Sequence, residues 1–294
     1  MAEAVRAGDD RKLASVGGEG IEAEGAGGVL SYMNFTDIIL EQRNAVSWIY
    51  LNRDKALNAI SPGCMQELRA ALEIARDRVE TKVLVISGKG RGFCAGADLS
   101  ESAPDPLAPP SPEPTFFEYA QAMEHVLNNM PKPVIAAVNG ICCGGGLELA
   151  LMCDFIIAAE GAKIGDAHAN FGAMPGGGAT VRLPRVVGIN MSRYMMFTGD
   201  LFPAAEMAQI GLVTRVFPND QLEAEVQKIA EKIAGKSPLG LQRMKQLLQD
   251  GIDMPLKQAL QNEKLVSTTH MRSFDAGEGG RAFQEKRKPQ FRGY

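Results

Sequence analysis

The chain has 294 residues, enough for one large domain or two modest ones, and its 45% hydrophobic content is enough to fill a core. A formal net charge of −4 gives no broad basic field, which argues against nucleic acid or an anionic membrane as the default partner. The five cysteines, Cys64, Cys94, Cys142, Cys143 and Cys153, are odd in number, lie in apolar stretches and show no paired CxxC spacing, so they read as buried thiols in a reducing compartment; with only His125, His168 and His270 beside them, no metal site is expected.

Residues 1–33 mix Gly, Ala and acids without periodicity and read as a flexible tail. They contain no apolar run of the kind a signal peptide carries, and Glu3, Asp9, Asp10, Glu19, Glu22 and Glu24 argue against an organelle transit peptide. No apolar stretch is long enough to span a bilayer, so the expected location is cytoplasmic. From Phe35 the pattern tightens. The β-rich runs IILEQ and VSWIYLN predict a hairpin turning at Asn44. Ser61-Pro62 reads as an N-cap followed by proline at the first helical position, and Met65, Leu68, Leu72 and Ile74 carry an amphipathic helix onward. KVLVISG, PVIAAVNG and DFIIAAEG are short, nearly all-apolar strands of the kind buried on both faces, separated by helical segments. Alternating strand and helix predicts an α/β fold with a parallel core. After LVTRVFP the chain reads as helical from Gln221 to about Phe283, with breaks at Gly235, Pro238, Gly251 and Pro255. The proline density of residues 102–114 forbids regular structure there and predicts either a functional lid or an inert insertion.

Two of the strands end in glycine-rich turns, KGRGFCAGADL and ICCGGGLEL. Ligands of parallel sheets gather outside the carboxyl ends of strands, so both turns are candidates to face one crevice. Glycine permits close approach to the backbone, and amides at a helix start are unpaired and carry partial positive charge. Gly144, Gly145 and Gly146 would thus present N–H groups to a developing anion, with Glu148 beside them for proton work. Glu148 reads equally as a first-turn charge favoured by the helix dipole, although Leu147, Leu149, Leu151 and Met152 predict that it is half buried, with its pKa raised. A phosphate cradle is the rival reading of the glycines, but neither turn completes G-x-G-x-x-G and no G-K-[ST] follows. In KIGDAHANFG, an extended backbone would turn Asp166, His168 and Asn170 to one side, where Asp166 can orient the His168 ring and favour its imidazolium. A surface strand would carry the same pattern.

Taken together and in order, RDKALNAIS, GFCAGADL, PKPVIAAVNGICCGGGLELALMCD, GAMPGGGATVRLPRVVG, MFTGDLFPAAEMAQIGLV and AFQEKRKPQF resemble the enoyl-CoA hydratase/isomerase (crotonase) superfamily from about residue 35 to the C-terminus. The resemblance implies a ββα spiral core over residues 34–235 and a C-terminal helical trimerisation region over 236–294. It implies a homotrimer or homohexamer that takes acyl-CoA thioesters, with coenzyme A as part of the substrate and no separate cofactor; the acidic net charge and the lack of a bilayer-length apolar run argue against a nucleic-acid or membrane partner. By the same resemblance, the amides of Ala97 and Gly145 form an oxyanion hole. Lys55, Ala56, Leu57, Ala95 and Asp98 lie along the coenzyme A, and Phe283 and Lys286 close over its nucleotide, from a neighbouring subunit in one arrangement. Glu148 matches the first catalytic glutamate of hydratases, whereas His168 stands where the second is expected, with Asp166 beside it. Hydration of a 2-enoyl-CoA is the activity implied. The alternatives are Δ3/Δ2-enoyl-CoA isomerisation, thioester hydrolysis or retro-aldol cleavage, and, outside catalysis, an inactive coenzyme A- or RNA-binding scaffold.

Overall fold

The structure, a computed structural model, describes residues 35–102 and 114–294. The tail expected over residues 1–33 and almost all of the proline-rich connection lie outside the described residues.

Strands β1 (Ile38–Arg43) and β2 (Val46–Leu51) pair antiparallel, with Arg43 opposite Val46, around a two-residue turn in which Asn44 takes φ 53°. Asn is one of the few side chains that tolerates that left-handed conformation, which the twist of a tight hairpin demands. Helix α1 (Pro62–Asp77) starts as its sequence predicts: the Ser61 hydroxyl accepts from Cys64 N–H at 3.1 Å and Pro62 fills the first turn, where an N–H would have no partner. Next come β3 (Val83–Gly88), β4 (Gly92–Cys94), α2 (Leu99–Ser102) and α3 (Phe116–Asn128). Helix α3 opens on a capping box in which Glu118 N–H donates to the Thr115 hydroxyl and Thr115 N–H donates back to the Glu118 carboxylate. Strands β5 (Val134–Val138) and β6 (Ile141–Cys143) precede α4 (Gly145–Met152), and β7 (Phe155–Ala159) and β8 (Lys163–Gly165) follow it. Helices α5 (Ala179–Val187) and α6 (Ile189–Thr198), strand β9 (Phe202–Pro203), helix α7 (Ala204–Gln209) and strand β10 (Arg215–Phe217) complete the core.

The long strands form one sheet in the order β1-β2-β3-β5-β7-β10, parallel throughout except at β1. Side chains alternate along each strand, so Ile49, Leu51, Leu84 and Ile86 pack with Leu68 and Leu72 of α1 and with α3 and α4, while Trp48, Tyr50, Val83 and Val85 pack on the other face. Helix α8 (Leu222–Ala234) covers that other face through Leu222, Val226 and Ala230. Its polar edge adds two hydrogen bonds, Trp48 Nε1 to Gln227 at 2.6 Å and the Tyr50 hydroxyl to Glu223. Burial on both faces is why these strands read as unbroken apolar runs.

A second sheet, β4-β6-β8-β9, was not legible in the sequence. Each of β3, β5 and β7 turns off into a three-residue strand, giving three stacked β-turn-β units. The turns press on one another: a Cβ on Gly140 would lie 2.0 Å from Arg91 O, so only glycine fits there. Because β4, β6 and β8 run parallel, with Cys143 opposite Gly165 and, past a register shift between Gly92 and Cys94, Cys94 opposite Cys142, their carboxyl ends emerge side by side. All five cysteines are free, and Cys64, Cys94, Cys142 and Cys153 are buried among these elements, which pushes their thiols up.

Three helices follow α8: α9 (Pro238–Gly251), α10 (Leu256–His270) and α11 (Phe274–Gln284). Ser237 caps α9 and Ser273 caps α11, the latter at a break the sequence pattern does not mark. An ion pair of 2.9 Å between Lys245 of α9 and Asp154 ties this region to the core. No helix among the described residues is long and apolar enough to cross a membrane.

Candidate active site

The three stacked units deliver three short segments to one place: Ala95–Ala97 after β4, Gly144–Gly145 after β6, and Asp166–His168 after β8. Gly144 binds the segments together by donating its N–H to Asp166 O at 2.6 Å, in a conformation of φ 54°, ψ −126° that only glycine adopts readily. Ala97 is held from the other side, because Ile60 N–H donates to Gly96 O at 2.7 Å and Asp98 N–H to Ile60 O at 2.9 Å. Between these segments a gap opens. The position a Cβ on Gly145 would take lies 3.6 Å from Ala97 N, and among the described residues neither amide has an acceptor. Two unpaired main-chain donors beside one gap, one of them at the positive end of a helix, suit an oxyanion.

Glu148 lies in the first turn of α4 and is 6% exposed, more deeply buried than the half-burial its apolar neighbours predict. Its Oε1 accepts from Gly177 N–H at 2.7 Å and Ala179 N–H at 3.1 Å, where the glycine turn enters α5. Burial pushes the carboxyl above the usual carboxylate range; the Ala179 N–H, the neighbouring His168 and the Gly177 N–H oppose this, and Asp166 adds to it. The side chain is thus fixed through Oε1, and Oε2 is left to react.

Asp166, His168 and Asn170 do not form the extended, one-sided row that their alternation suggests. Ala167 takes φ 62° and a 3₁₀ turn runs over His168–Phe171. Left-handed backbone at an alanine costs on the order of 1–3 kcal/mol and here folds the His168 ring back over Asp166. Asp166 Oδ1 lies 3.0 Å from His168 Nδ1 and accepts His168 N–H at 3.2 Å, while Asn170 turns away to donate to Gly199 O at 2.8 Å. Asp166 is buried, and its Oδ2 has no partner among the described residues, so the adjacent ring carries the task of neutralising it. The other ring nitrogen, Nε2, is 3.9 Å from Glu148 Oε2. The hydrogen bond to Asp166 raises the His168 pKa above its ordinary 6.5, burial opposes this, and the charges of Asp166 and Glu148 add to the rise. The environment thus favours the imidazolium form of His168, in which Nε2 would carry an N–H towards the Glu148 carboxylate.

Lys55 and Ala56 lie in a 3₁₀ turn over Asp54–Ala56, with Leu57 at φ 50° behind them. Ala95 N–H donates to Leu57 O at 3.0 Å, which aligns that turn with the first segment of the gap. Asn58, buried, brackets the arrangement by donating to Lys89 O at 2.9 Å and Gly92 O at 2.7 Å. The Asp98 carboxylate pairs with Arg53 at 2.9 Å. Phe283 is 85% exposed at the end of α11, and Lys286 follows it at φ 54°; neither hydrogen-bonds to a residue of the gap. Sequence reasoning missed Gly177 and Ala179 as the grip on Glu148, and Glu124 of α3, whose Oε1 lies 3.0 Å from the position a Cβ on Gly177 would take. The run PGGGAT carried a signal for the first two, since a glycine turn entering a helix offers free amides.

Residues 41–294 match the enoyl-CoA hydratase/isomerase family. The chain is 37% identical over 260 residues to crotonyl-CoA hydratase of Syntrophomonas wolfei, covering 88% of this chain and 99% of that one. It is 38% identical over 263 residues to the mitochondrial enoyl-CoA hydratase of Pongo abelii, covering 88% and 89%. The crystal structure of an enoyl-CoA hydratase from Bacillus anthracis superposes with a TM-score of 0.81 at 35% identity, over 88% of this chain and all of that one.

Proposed function

This chain belongs to the enoyl-CoA hydratase/isomerase family, and from that premise we propose that it adds water across the double bond of a 2-enoyl-CoA thioester. The observation that carries this reading is the approach of Glu148 Oε2 and His168 Nε2, 3.9 Å apart, beside two main-chain amides that lack acceptors. The thioester oxygen accepts from Ala97 N–H and Gly145 N–H. Ionised Glu148 takes a proton from water as the water oxygen bonds to C3, and the electron pair of the double bond moves through C2 onto the thioester oxygen. Each amide donor is expected to contribute about 3–4 kcal/mol at that point, a reading supported by the absence of any other acceptor for either N–H among the described residues. The enolate then collapses, and C2 takes the proton of His168 Nε2. Return of the proton from Glu148 to His168 restores the starting state, so one water has been added and nothing else consumed. The coenzyme A lies along Lys55, Ala56, Leu57, Ala95 and Asp98, and Phe283 and Lys286 close over its nucleotide.

Crotonyl-CoA is the substrate with which to test this, by loss of the conjugated thioester absorbance. Turnover of a 3-enoyl-CoA to the 2-enoyl isomer at a higher kcat/KM than hydration would overturn the reading in favour of isomerisation. The two perturbed groups also fix the pH dependence. Glu148 acts ionised, so activity falls as pH drops through its raised pKa; His168 acts protonated, so activity falls as pH rises through its own raised pKa. The profile of kcat/KM is a bell with its alkaline limb above the ordinary histidine value of 6.5. His168→Gln should lower kcat about 10²-fold and remove that limb. An unchanged alkaline limb in the variant would assign it to another group.

Assembly as a homotrimer or homohexamer is part of the same proposal. It is supported by the exposed Leu248, Ile252 and Leu256 at the end of α9 and the start of α10, which are 76%, 63% and 75% accessible in the single chain. Sedimentation equilibrium at the mass of one 31.5 kDa chain would refute it.

A further inference from the structure

Glu148 is not the only carboxyl group at the water side of the gap. Helix α3 passes the glycine turn that grips Glu148, and it brings Glu124 with it. A Cβ on Gly177 would lie 3.0 Å from Glu124 Oε1 and 3.0 Å from Glu148 Oε2, so the two oxygens are separated by no more than twice that distance. Gly177 thus leaves open a space that both carboxyl groups border. The Glu148 oxygen concerned is the one that accepts no amide.

Resting on the hydratase reading, we propose that Glu124 and Glu148 form a pair holding one proton at neutral pH, with Glu124 its carrier, and that the Glu124 carboxyl positions Oε2 of the base by donating to it or to the water it activates. Two carboxylates this close and partly desolvated do not both ionise freely. Which one keeps the proton is decided by their partners. Glu148 has two backbone N–H groups and faces the His168 ring, all of which favour its anion. Glu124 has no hydrogen bond among the described residues, and the charged groups that face it are Glu148 from α4 and Arg182 from α5; α1, packed on α3, adds none. Arg182 is partly engaged elsewhere, its Nη2 donating to Asn128 at 2.9 Å. Burial and the Glu148 charge push Glu124 above the usual carboxylate range, and Arg182 opposes them. His168, Glu148 and Glu124 then stand in a row in which the proton that Glu124 keeps and the proton that His168 favours both face the base between them. A neutral carboxyl supplies what no other side chain at Oε2 supplies besides His168: an O–H donor that leaves the charge of the base intact.

Two measurements test this, and the first needs no turnover. In protein labelled with carbon-13 at glutamate side chains, the Glu124 carboxyl is expected to titrate above the usual glutamate value, and its midpoint to fall by on the order of one pH unit in Glu148→Gln, where the neighbouring charge is gone. A midpoint that stays put in the variant overturns the shared proton, whatever reaction the enzyme performs. The second is kinetic. Glu124→Gln keeps a neutral donor and is expected to retain kcat within about threefold, whereas Glu124→Leu loses it and should lower kcat about 10-fold or more at unchanged KM, the scale of a mispositioned catalytic group. Wild-type kcat in a folded Glu124→Leu protein, checked by its Tm, overturns the positioning role; absence of hydration in the wild type would instead remove the reading on which it rests.

Discussion

Glu148→Gln is expected to lower kcat for hydration of crotonyl-CoA about 10³-fold or more, within the 10²- to 10⁴-fold range for loss of a proton-transfer group, while leaving KM and Tm close to wild type. The amide substitution is informative because it separates structure from chemistry. A glutamine carbonyl can still accept from Gly177 and Ala179, so the grip that seats α4 against the start of α5 survives. What disappears is the anion. Without it no group at Oε2 takes the proton of the incoming water, since the hydrogen bond to Asp166 raises the His168 pKa and favours its protonated form. In the proposed mode of binding, the substrate is held by Ala97 and Gly145 and by coenzyme A contacts apart from Glu148, so KM is expected to hold. The same change removes one of the charges that raise the His168 pKa, so any residual activity should show its alkaline limb moved to lower pH. A variant that keeps more than a tenth of wild-type kcat would mean that Glu148 is a buried cap at a helix start, the plainer reading its sequence position allows.

How far the molecule was legible beforehand depends on the length scale of each signal. The long strands β3, β5 and β7 declare themselves because burial on both faces leaves unbroken apolar runs, and α1 because Ser61 and Pro62 are local capping chemistry. Strands β4, β6 and β8 are three residues each, too short for any periodicity, and their cysteines and glycines resemble turn residues. Yet these strands decide the site, since their adjacent ends bring Ala97, Gly145 and Asp166 together. Legible in advance were the residue types, glycines after a strand and a carboxylate among leucines, and the ordered motifs that carried the family. The path of 166–170 was not legible, because the reversal at Ala167 is imposed by the tertiary site against the preference of alanine itself. Glu124 was invisible for a different reason. It stands 24 residues before Glu148 in an amphipathic helix that would read the same with its glutamate in solvent, and only the three-dimensional passage of α3 beside Gly177 sets it apart.

Alanine at the neighbouring glycines Gly145 and Gly146 should lower activity at both positions but stability at only one, and Gly146→Ala is the more damaging to the fold. A Cβ on Gly146 would sit 2.1 Å from Cys94 O and 2.8 Å from both Cys94 C and Cys94 Cβ. These are main-chain and buried atoms at the end of β4, so relief requires α4 to lift off β4, and overpacking of this kind costs about 3 kcal/mol or more. For a chain of 294 residues that corresponds to a Tm lower by about 5 °C or more. The displacement also separates the Ala97 amide from the Gly145 amide, so kcat/KM should fall in whatever protein remains folded. Gly145→Ala differs. Its Cβ has no neighbour closer than 3.6 Å, so the fold accepts it, but that neighbour is Ala97 N, and the methyl group enters the gap beside both donors. The expected outcome is a protein of near wild-type Tm with kcat/KM lower by about 10²-fold, the scale of one lost oxyanion donor. Full activity in Gly145→Ala would place the reacting carbonyl away from these amides and take the oxyanion hole with it.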